Sequence, residues 1–184
     1  STITKNKGIA LSSRDNLILN SNTIILNTGG INFNNEVSRV YNTIILGNTH
    51  FDCQNIIAGP DSTKTYFANN LSGENKGCLS GTALENNTTV NLSNTLLIAD
   101  NNNDGICDAP PAAGLLCPLQ ENGGLTKTHK PRMLATYTSV TDSPIINKGY
   151  FNNSSNKGLN CLSSDQRGKE RNNITDKCDI GALE

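Results

Sequence analysis

Ser21-Asn22-Thr23-Ile24-Ile25-Leu26 is a six-residue phrase that recurs along the chain and decides its fold class. It returns as Tyr41-Asn42-Thr43-Ile44-Ile45-Leu46 and as Ser93-Asn94-Thr95-Leu96-Leu97-Ile98. Thr23 and Thr43 are 20 residues apart, and Thr2 precedes Thr23 by 21. Such a period is typical of solenoids, whose units are too small to bury an apolar face alone and stack on their neighbours.

The local chemistry of each unit predicts which solenoid forms. Leucine-rich repeats need Leu at fixed spacings, and helical repeats need long runs of helix formers, and neither pattern is present. Instead, short β-branched segments alternate with Asn, Gly and Ser, as in Leu17-Ile18-Leu19-Asn20 followed by Ile24-Ile25-Leu26-Asn27. This alternation predicts two or three short strands per unit, which is the pattern of a parallel β-helix with Asn at its corners.

The composition supports this interpretation and excludes other classes. The chain has 29 Asn among its 184 residues, which disfavours long helices because Asn side chains compete for backbone hydrogen bonds. Disorder is the alternative, but recurrent β-branched segments and six Cys argue against it. A net charge of −1 without a basic run argues against nucleic acid as a partner. The apolar stretches are far shorter than the roughly 20 residues that a membrane-spanning helix needs.

The regularity of the units divides the chain into two predicted regions. Residues 1–114 are predicted to form the coils, with a long loop excursion over 49–90 before the phrase returns at Ser93. Residues 115–184 are predicted to form a last coil and a loop-rich cap, because Pro, Gly and Cys recur there without clear periodicity. A cap of this kind would cover the open strand edge of the last coil.

The six cysteines predict disulfides. They form no CxxC pair and lie in a chain with only two His, so a zinc site is disfavoured. Nearest-neighbour pairing gives Cys53 with Cys78, Cys107 with Cys117, and Cys161 with Cys178, although other connectivities and six reduced thiols stay open. Disulfides predict an oxidising compartment, which is the periplasm, the cell surface or the medium.

The segment 100–108 resembles a calcium-binding loop. Oxygen-bearing side chains stand at positions 1, 3, 5 and 9, a backbone carbonyl is available at position 7, and Gly105 stands at position 6. The predicted ligands are Asp100, Asn102, Asp104, Ile106 and Asp108. Pro111 at position 12 excludes an EF-hand, and an Asn/Asp-rich turn closed by Cys107 and Cys117 is the alternative to a calcium site.

Four motifs in the last third carry a family resemblance. They are Leu119-Gln120-Glu121-Asn122-Gly123-Gly124-Leu125-Thr126-Lys127-Thr128-His129, Asp142-Ser143-Pro144-Ile145-Ile146-Asn147-Lys148-Gly149, Asp165-Gln166-Arg167-Gly168 and Cys178-Asp179-Ile180-Gly181-Ala182-Leu183-Glu184. Over about residues 115–184 the chain resembles bacterial choice-of-anchor Q domain proteins. The resemblance implies a right-handed parallel β-helix in an exported bacterial protein, without an established catalytic activity. Members of that family commonly continue into one of several surface anchors, so the resemblance implies that this chain is either unanchored and secreted or cut before its anchor. The start of the chain in mid-repeat suggests that earlier coils precede it.

The residues Asp165, Arg167 and Asp179 are predicted to hold the cap together. The guanidinium of Arg167 has five donors in a fixed fork, which suits a carboxylate such as Asp179 or Asp165. A structural role is therefore favoured over ligand binding for Arg167.

The sequence favours a non-enzymatic function and predicts no catalytic residue. Asp15, Glu36 and Asp52 do not recur at coil spacing, and His50 and His129 are isolated in sequence. The leading hypothesis is an adhesin-like, secreted or surface-displayed module that contacts a surface glycan or a host or cell-surface protein. One alternative is a polysaccharide lyase or glycoside hydrolase, which is based on fold analogy alone. The other is a structural stalk and cap of a longer protein.

Overall fold

Short parallel strands account for most of the regular structure. The computed structural model describes residues 1–33, 38–54, 65–73, 78, 84–85, 87–90, 116–131, 145–150, 160–171 and 177–183. Within these ranges there is no helix. Twelve strands pair in parallel to form three sheets, and four others form two antiparallel pairs. The predicted all-β class is thus confirmed, and the predicted parallel pairing is present.

The three parallel sheets recur in a fixed order along the chain. Sheet 1 contains β1 (Thr2–Thr4), β4 (Thr23–Ile25), β7 (Ile44–Leu46), β10 (Leu71–Gly73) and β12 (Thr88–Val90). Sheet 2 contains β2 (Ile9–Ser13), β5 (Gly29–Phe33) and β8 (Phe51–Gln54). Sheet 3 contains β3 (Leu17–Asn20), β6 (Ser38–Tyr41), β9 (Thr65–Ala68) and β11 (Leu84–Glu85). The chain therefore visits sheets 1, 2 and 3 in turn as repeat 1 (β1–β3), repeat 2 (β4–β6) and repeat 3 (β7–β9).

The two antiparallel pairs lie in the last third of the chain. They are β13 (Leu116–Gln120) with β14 (Thr128–Pro131), and β15 (Gly149–Tyr150) with β16 (Lys177–Cys178).

Repeats 1 to 3 stack in sheet 1 with a step of 21 residues, which differs from the step of 20 that the phrase itself suggests. Thr23 pairs with Thr2 on one side and with Ile44, rather than Thr43, on the other. The turning points of the backbone explain the difference. Ser21 and Asn42 both have a positive φ, at 54° and 48°, and they are the residues that align. We call this backbone turn a corner. It sets where each strand begins, so the corner determines the register, and the similarity of the side chains does not.

A ladder of asparagines joins the repeats at a second corner. The backbone N and Nδ2 of Asn6 both donate to Oδ1 of Asn27, at 3.0 and 2.9 Å. Asn27 donates in the same way to Oδ1 of Asn48, with both distances 3.0 Å. Asn48 then donates to Oδ1 of Asp52, and the other oxygen of Asp52 accepts from the backbone N of Gly73. The high Asn content is explained in part here, since one amide can donate and accept between successive repeats.

Residues 49–90 contain β8 to β12, so the prediction of a loop is wrong for these strands. They continue the three sheets beyond repeat 2. These strands have no clear periodic signal in the sequence because the number of residues between successive repeats changes. Thr43 bonds to Asn70, 27 residues later, and Asn70 bonds to Asn87, 17 residues later. The third copy of the phrase, at 93–98, lies outside the described residues.

Two apolar clusters lie on opposite faces of sheet 1. The inner cluster lies between the three sheets and contains Leu19, Ile24, Ile31, Phe33, Val40, Ile45, Cys53, Phe67 and Cys78. The outer cluster joins sheet 1 to the last third of the chain and contains Ile25, Ile44, Leu46, Leu71, Leu116, Ile145 and Ile180. Ile24 and Ile25 are both fully buried because each points into a different cluster. Strands buried on both faces read as uninterrupted apolar runs, which explains the triplets in the phrase.

The last third of the chain covers the side of sheet 1 over repeats 1 to 3, which corrects its predicted place at the end of the last coil. The backbone N of Gly181 donates to the carbonyl of Asn42, and the N of Ala182 donates to Oγ1 of Thr23. A β-carbon on Gly181 would lie 2.8 Å from that same Oγ1, so only glycine permits this approach. The apolar outer face of sheet 1 supplies the physical reason, because it needs a cover along its length.

Candidate functional site

The contact zone between sheet 1 and the last third of the chain holds four of the five buried Asp, Arg and His side chains among the described residues. We call it the seam and define it by His129, Asp165, Arg167, Arg171 and Asp179. Among these residues, only Asp165, Arg167 and Asp179 were selected from sequence.

His129 joins the β13–β14 hairpin to repeat 1. It is buried, with Nδ1 at 2.8 Å from the carbonyl of Cys117 and Nε2 at 3.3 Å from Oγ1 of Thr4. Because a carbonyl only accepts, Nδ1 carries the proton and Nε2 accepts from the threonine hydroxyl. Burial lowers the pKa of His129; the Cys117 carbonyl opposes this effect and the charge of Lys5 adds to it. The imidazole is therefore held neutral as a bridge between two parts of the chain.

Arg171 is the residue that fastens the end of the chain. It is 4% exposed. Its Nη1 donates to the carbonyl of Asp179 at 3.1 Å, and its Nη2 donates to the carbonyl of Gly181 at 2.7 Å. These bonds hold the segment that packs on Thr23 and Asn42. Arg171 was not selected from sequence, although it stands at the last position of the pattern D-Q-R-G-x-x-R of the family that residues 115–184 resemble.

Asp165 organises a tight turn through Arg167. Oδ1 of Asp165 accepts from the backbone N of Arg167 and of Lys169, at 2.8 and 3.2 Å. Its Oδ2 accepts from Nε of Arg167 at 2.7 Å and also contacts Nη2. Burial alone raises the pKa of Asp165, but these bonds and the Arg167 charge together lower it below its ordinary value. Of the two carboxylates suggested for Arg167, the structure pairs it with Asp165.

Asp179 supports a different turn. Its Oδ1 accepts from the backbone N of Asn147 at 2.9 Å, where Asn147 has a positive φ of 53°. Burial raises the pKa of Asp179, while the Asn147 bond and the Arg171 charge act in the opposite direction. The carboxylates of Asp165 and Asp179 thus serve separate turns and do not act as a pair.

Two of the predicted disulfides are confirmed. Cys53 is bonded to Cys78, with a Cα–Cα distance of 4.7 Å, and Cys161 is bonded to Cys178, with a distance of 6.3 Å. Cys117 is also disulfide-bonded, while Cys107, its predicted partner, lies outside the described residues. Cys78 lies in the inner cluster, whereas Cys178 is the last residue of β16 and precedes the seam residue Asp179. The two disulfides therefore stabilise different parts of the fold.

The predicted calcium ligands Asp100, Asn102, Asp104, Ile106 and Asp108 all lie outside the described residues. Within the part of the chain that the structure describes, no group of three His, Cys, Asp or Glu side chains is placed to hold a metal ion. The calcium prediction is therefore neither supported nor contradicted. The described residues also include no helix long and apolar enough to cross a membrane.

Exposed side chains on sheets 2 and 3 form the second candidate region. Ser12, Asn32 and Gln54 pair in register across β2, β5 and β8, and we call them the outward row. Ser12 and Gln54 are exposed and Asn32 is half-buried. On sheet 3, Ile18 is 66% exposed and pairs with the exposed Arg39. Rows of this kind place amide, hydroxyl and guanidinium groups about 4.8 Å apart.

Comparison with known proteins adds nothing further, because no family model, no curated protein and no solved structure matches this chain.

Proposed function

We propose that the chain is a non-enzymatic module of an exported protein, in which stacked β-coils present polar rows to a surface glycan. The outward row carries this proposal. Ser12 and Gln54 are solvent-exposed and in register through Asn32, so they offer a repeating set of hydrogen-bonding groups. A regular polymer with hydroxyl groups along its length suits such a surface through many weak contacts.

The fold component of the proposal is a right-handed parallel β-helix. Three observations support it: the fixed order of sheets 1, 2 and 3, the parallel pairing between successive repeats, and the step of 21 residues in sheet 1 and at the asparagine corner. The right hand follows from the strong preference of parallel crossover connections for that hand. The resemblance of residues 115–184 to choice-of-anchor Q domain proteins points to the same fold.

The non-enzymatic component is supported by the roles of the buried polar groups. His129, Arg171 and Asp179 bond to backbone groups of other segments of the chain, and Asp165 bonds to the backbone of its own turn. Groups committed to such bonds are poor candidates for proton transfer to a substrate, because catalysis would break the contacts that hold the seam. Export is supported by the two confirmed disulfides, since these persist in oxidising compartments.

Binding to an array of bacterial and host polysaccharides tests the proposal. We expect weak binding that the double substitution Ser12→Ala with Gln54→Ala reduces at least fivefold, without a change in melting temperature. Lys148→Ala is the matched control, because Lys148 is exposed on the segment that covers sheet 1. Binding that is equal in the double variant and the control, or turnover of a pectin or alginate by the protein, would contradict the proposal.

A further inference from the structure

The outer face of sheet 3 has an exposed column and a buried column. The exposed column is Ile18, which is 66% exposed, and its register partner Arg39, which is also exposed. At the next outward position of the same strands, Asn20 pairs with Tyr41, which is 2% exposed. Nδ2 of Asn20 donates to the backbone carbonyl of Asn160 at 2.7 Å. The last third of the chain therefore stands above this outer face and borders the exposed column on one side.

The guanidinium of Arg39 is oriented by the hydroxyl of Tyr41. The hydroxyl oxygen accepts a hydrogen bond from Arg39. Burial raises the pKa of Tyr41, and the charge and hydrogen bond of Arg39 oppose this effect, so the phenol stays protonated at neutral pH. Among the described residues, no carboxylate forms an ion pair with Arg39. Arg39 therefore keeps N–H donors for a ligand, because a guanidinium has five of them.

The charges around the exposed column favour an anionic ligand. The strands that the structure describes in sheets 2 and 3 contain three charged residues, which are Arg39, Asp52 and Glu85. Asp52 is fully buried and hydrogen-bonded. Glu85 aligns with Tyr41 through Ala68, so it stands at the register position of the buried column. Within these strands, the exposed column thus carries a positive charge without a carboxylate beside it.

The position of the border sets the direction in which a polymer can lie. Ile18 and Arg39 are on neighbouring strands, about 4.8 Å apart, so one sugar ring can contact both. A polymer that followed the strands would meet the chain at Asn160, where it stands above the outer face. A polymer that follows the exposed column across the strands avoids this border.

We propose that the exposed column of sheet 3 binds a carboxylate group of an acidic polysaccharide. Arg39 donates two N–H groups to the two carboxylate oxygens, which is the paired contact that a planar guanidinium makes with a planar anion. The C–H face of the same sugar ring packs on Ile18. The inference rests on the proposed function and names its ligand class, a polymer of uronic acid residues.

An oligogalacturonate and its fully methyl-esterified form are the probes, because they share one backbone and differ in the charge of their carboxyl groups. Titration calorimetry measures the binding of both. We expect Arg39→Gln to weaken binding of the acid form about tenfold, through loss of a charge-assisted hydrogen bond, and to leave binding of the ester unchanged. Arg14→Gln is the matched control, because Arg14 is exposed in the turn between β2 and β3 and its loss changes the net charge equally.

Two further variants separate the contacts of the exposed column. Arg39→Lys keeps the charge but loses the paired donors, so its affinity for the acid form should lie between those of the natural chain and Arg39→Gln. Ile18→Ser should weaken binding of both forms alike, because contact with the sugar ring does not involve the carboxyl group. Both residues are exposed, so thermal melts should show that these variants fold as the natural chain does.

Equal affinity for the acid and the ester, or equal losses in Arg39→Gln and Arg14→Gln, would overturn the carboxylate site. A sulfated oligomer of neutral sugars that binds as tightly, with the same dependence on Arg39, would overturn the assignment to carboxylate. Absence of binding by the acid form would overturn the site as well. In each case, binding of other glycans that depends on Ser12 and Gln54 would leave the proposed function standing.

Discussion

Sheet 1 and sheet 3 belong to the same repeats, yet the outer face of sheet 1 is buried and the outer face of sheet 3 is exposed. On sheet 1 the outer residue Ile44 is buried beneath the last third of the chain. On sheet 3 the outer residue Ile18 is 66% exposed and lies beside Arg39. Sheet 1 therefore acts as a central layer with two cores, and sheet 3 acts as a surface. The last third of the chain thus covers one side of the repeats and leaves sheet 3 exposed to solvent.

Apolar substitution on the two faces gives the largest expected contrast. Ile44→Ala should reduce the free energy of unfolding by roughly 2–5 kcal/mol, because it leaves a cavity between sheet 1 and its cover. Ile18→Ala should change it by less than about 0.5 kcal/mol, as is usual at exposed positions. Denaturant unfolding of the two variants measures both values. Similar losses of unfolding free energy in the two variants would show that the buried outer face of sheet 1 contributes no more to stability than the exposed face of sheet 3.

Arg171 and Arg167 test how the last third of the chain is attached to sheet 1. Arg171→Ala should cost roughly 3 kcal/mol, because it leaves the carbonyls of Asp179 and Gly181 without their charged donor. Arg167→Ala should cost about 1–2 kcal/mol, because it removes one carboxylate pair within a single turn. Thermal melts with Arg171→Lys as the conservative control give the ranking. If Arg167→Ala proves the more harmful of the two, Arg171 is not the main attachment.

Protonation of His129 at low pH should weaken the attachment of the last third of the chain to sheet 1. Because burial lowers the pKa of His129 in the folded state, its contribution is fully present above its ordinary value of about 6.5 and is lost as the pH falls through that value toward the folded pKa. Denaturant unfolding between pH 7.5 and 5 measures the loss. His129→Gln should remove this pH dependence while retaining a donor or acceptor. A pH profile that is the same in both proteins would assign the effect to another group.

The last expected effect is that of calcium on the loop predicted at residues 100–108, and it does not depend on either face. If the loop binds calcium with a dissociation constant of about 1 mM, typical of weak extracellular loops, 10 mM calcium should stabilise the folded state by about 1.4 kcal/mol. The increase in melting temperature should be equal in the natural chain and in Ile18→Ala, and absent in Asp104→Asn. No thermal shift up to 10 mM calcium would dispose of the site at 100–108.

The cap illustrates where sequence reasoning succeeds at one scale and fails at another. Its disulfide between Cys161 and Cys178 agrees with nearest-neighbour pairing, one of the connectivities that the sequence left open, and the Asp165–Arg167 contact joins residues two apart. Its position against sheet 1 depends on contacts such as Ala182 with Thr23, which are 159 residues apart. The apolar triplets carried a signal for that contact, since a strand with one exposed face would alternate. The partner of the apolar face could not be read from the triplets, because burial does not specify what covers it.

Sequence alone predicts the strand type, the repeat length to within one residue and the residues of the cap turn. These depend on backbone propensities and short-range bonding, which are encoded where they act. The folded chain was needed to select the pairing of Cys53 with Cys78 and of Cys161 with Cys178. It was also needed for the step of 21 residues, the strands within residues 49–90, the ladder that ends at Asp52, and the place of the last third on sheet 1. These depend on which distant surfaces fit together, and hydrophobic burial, being non-directional, leaves that choice to the shape of the folded chain.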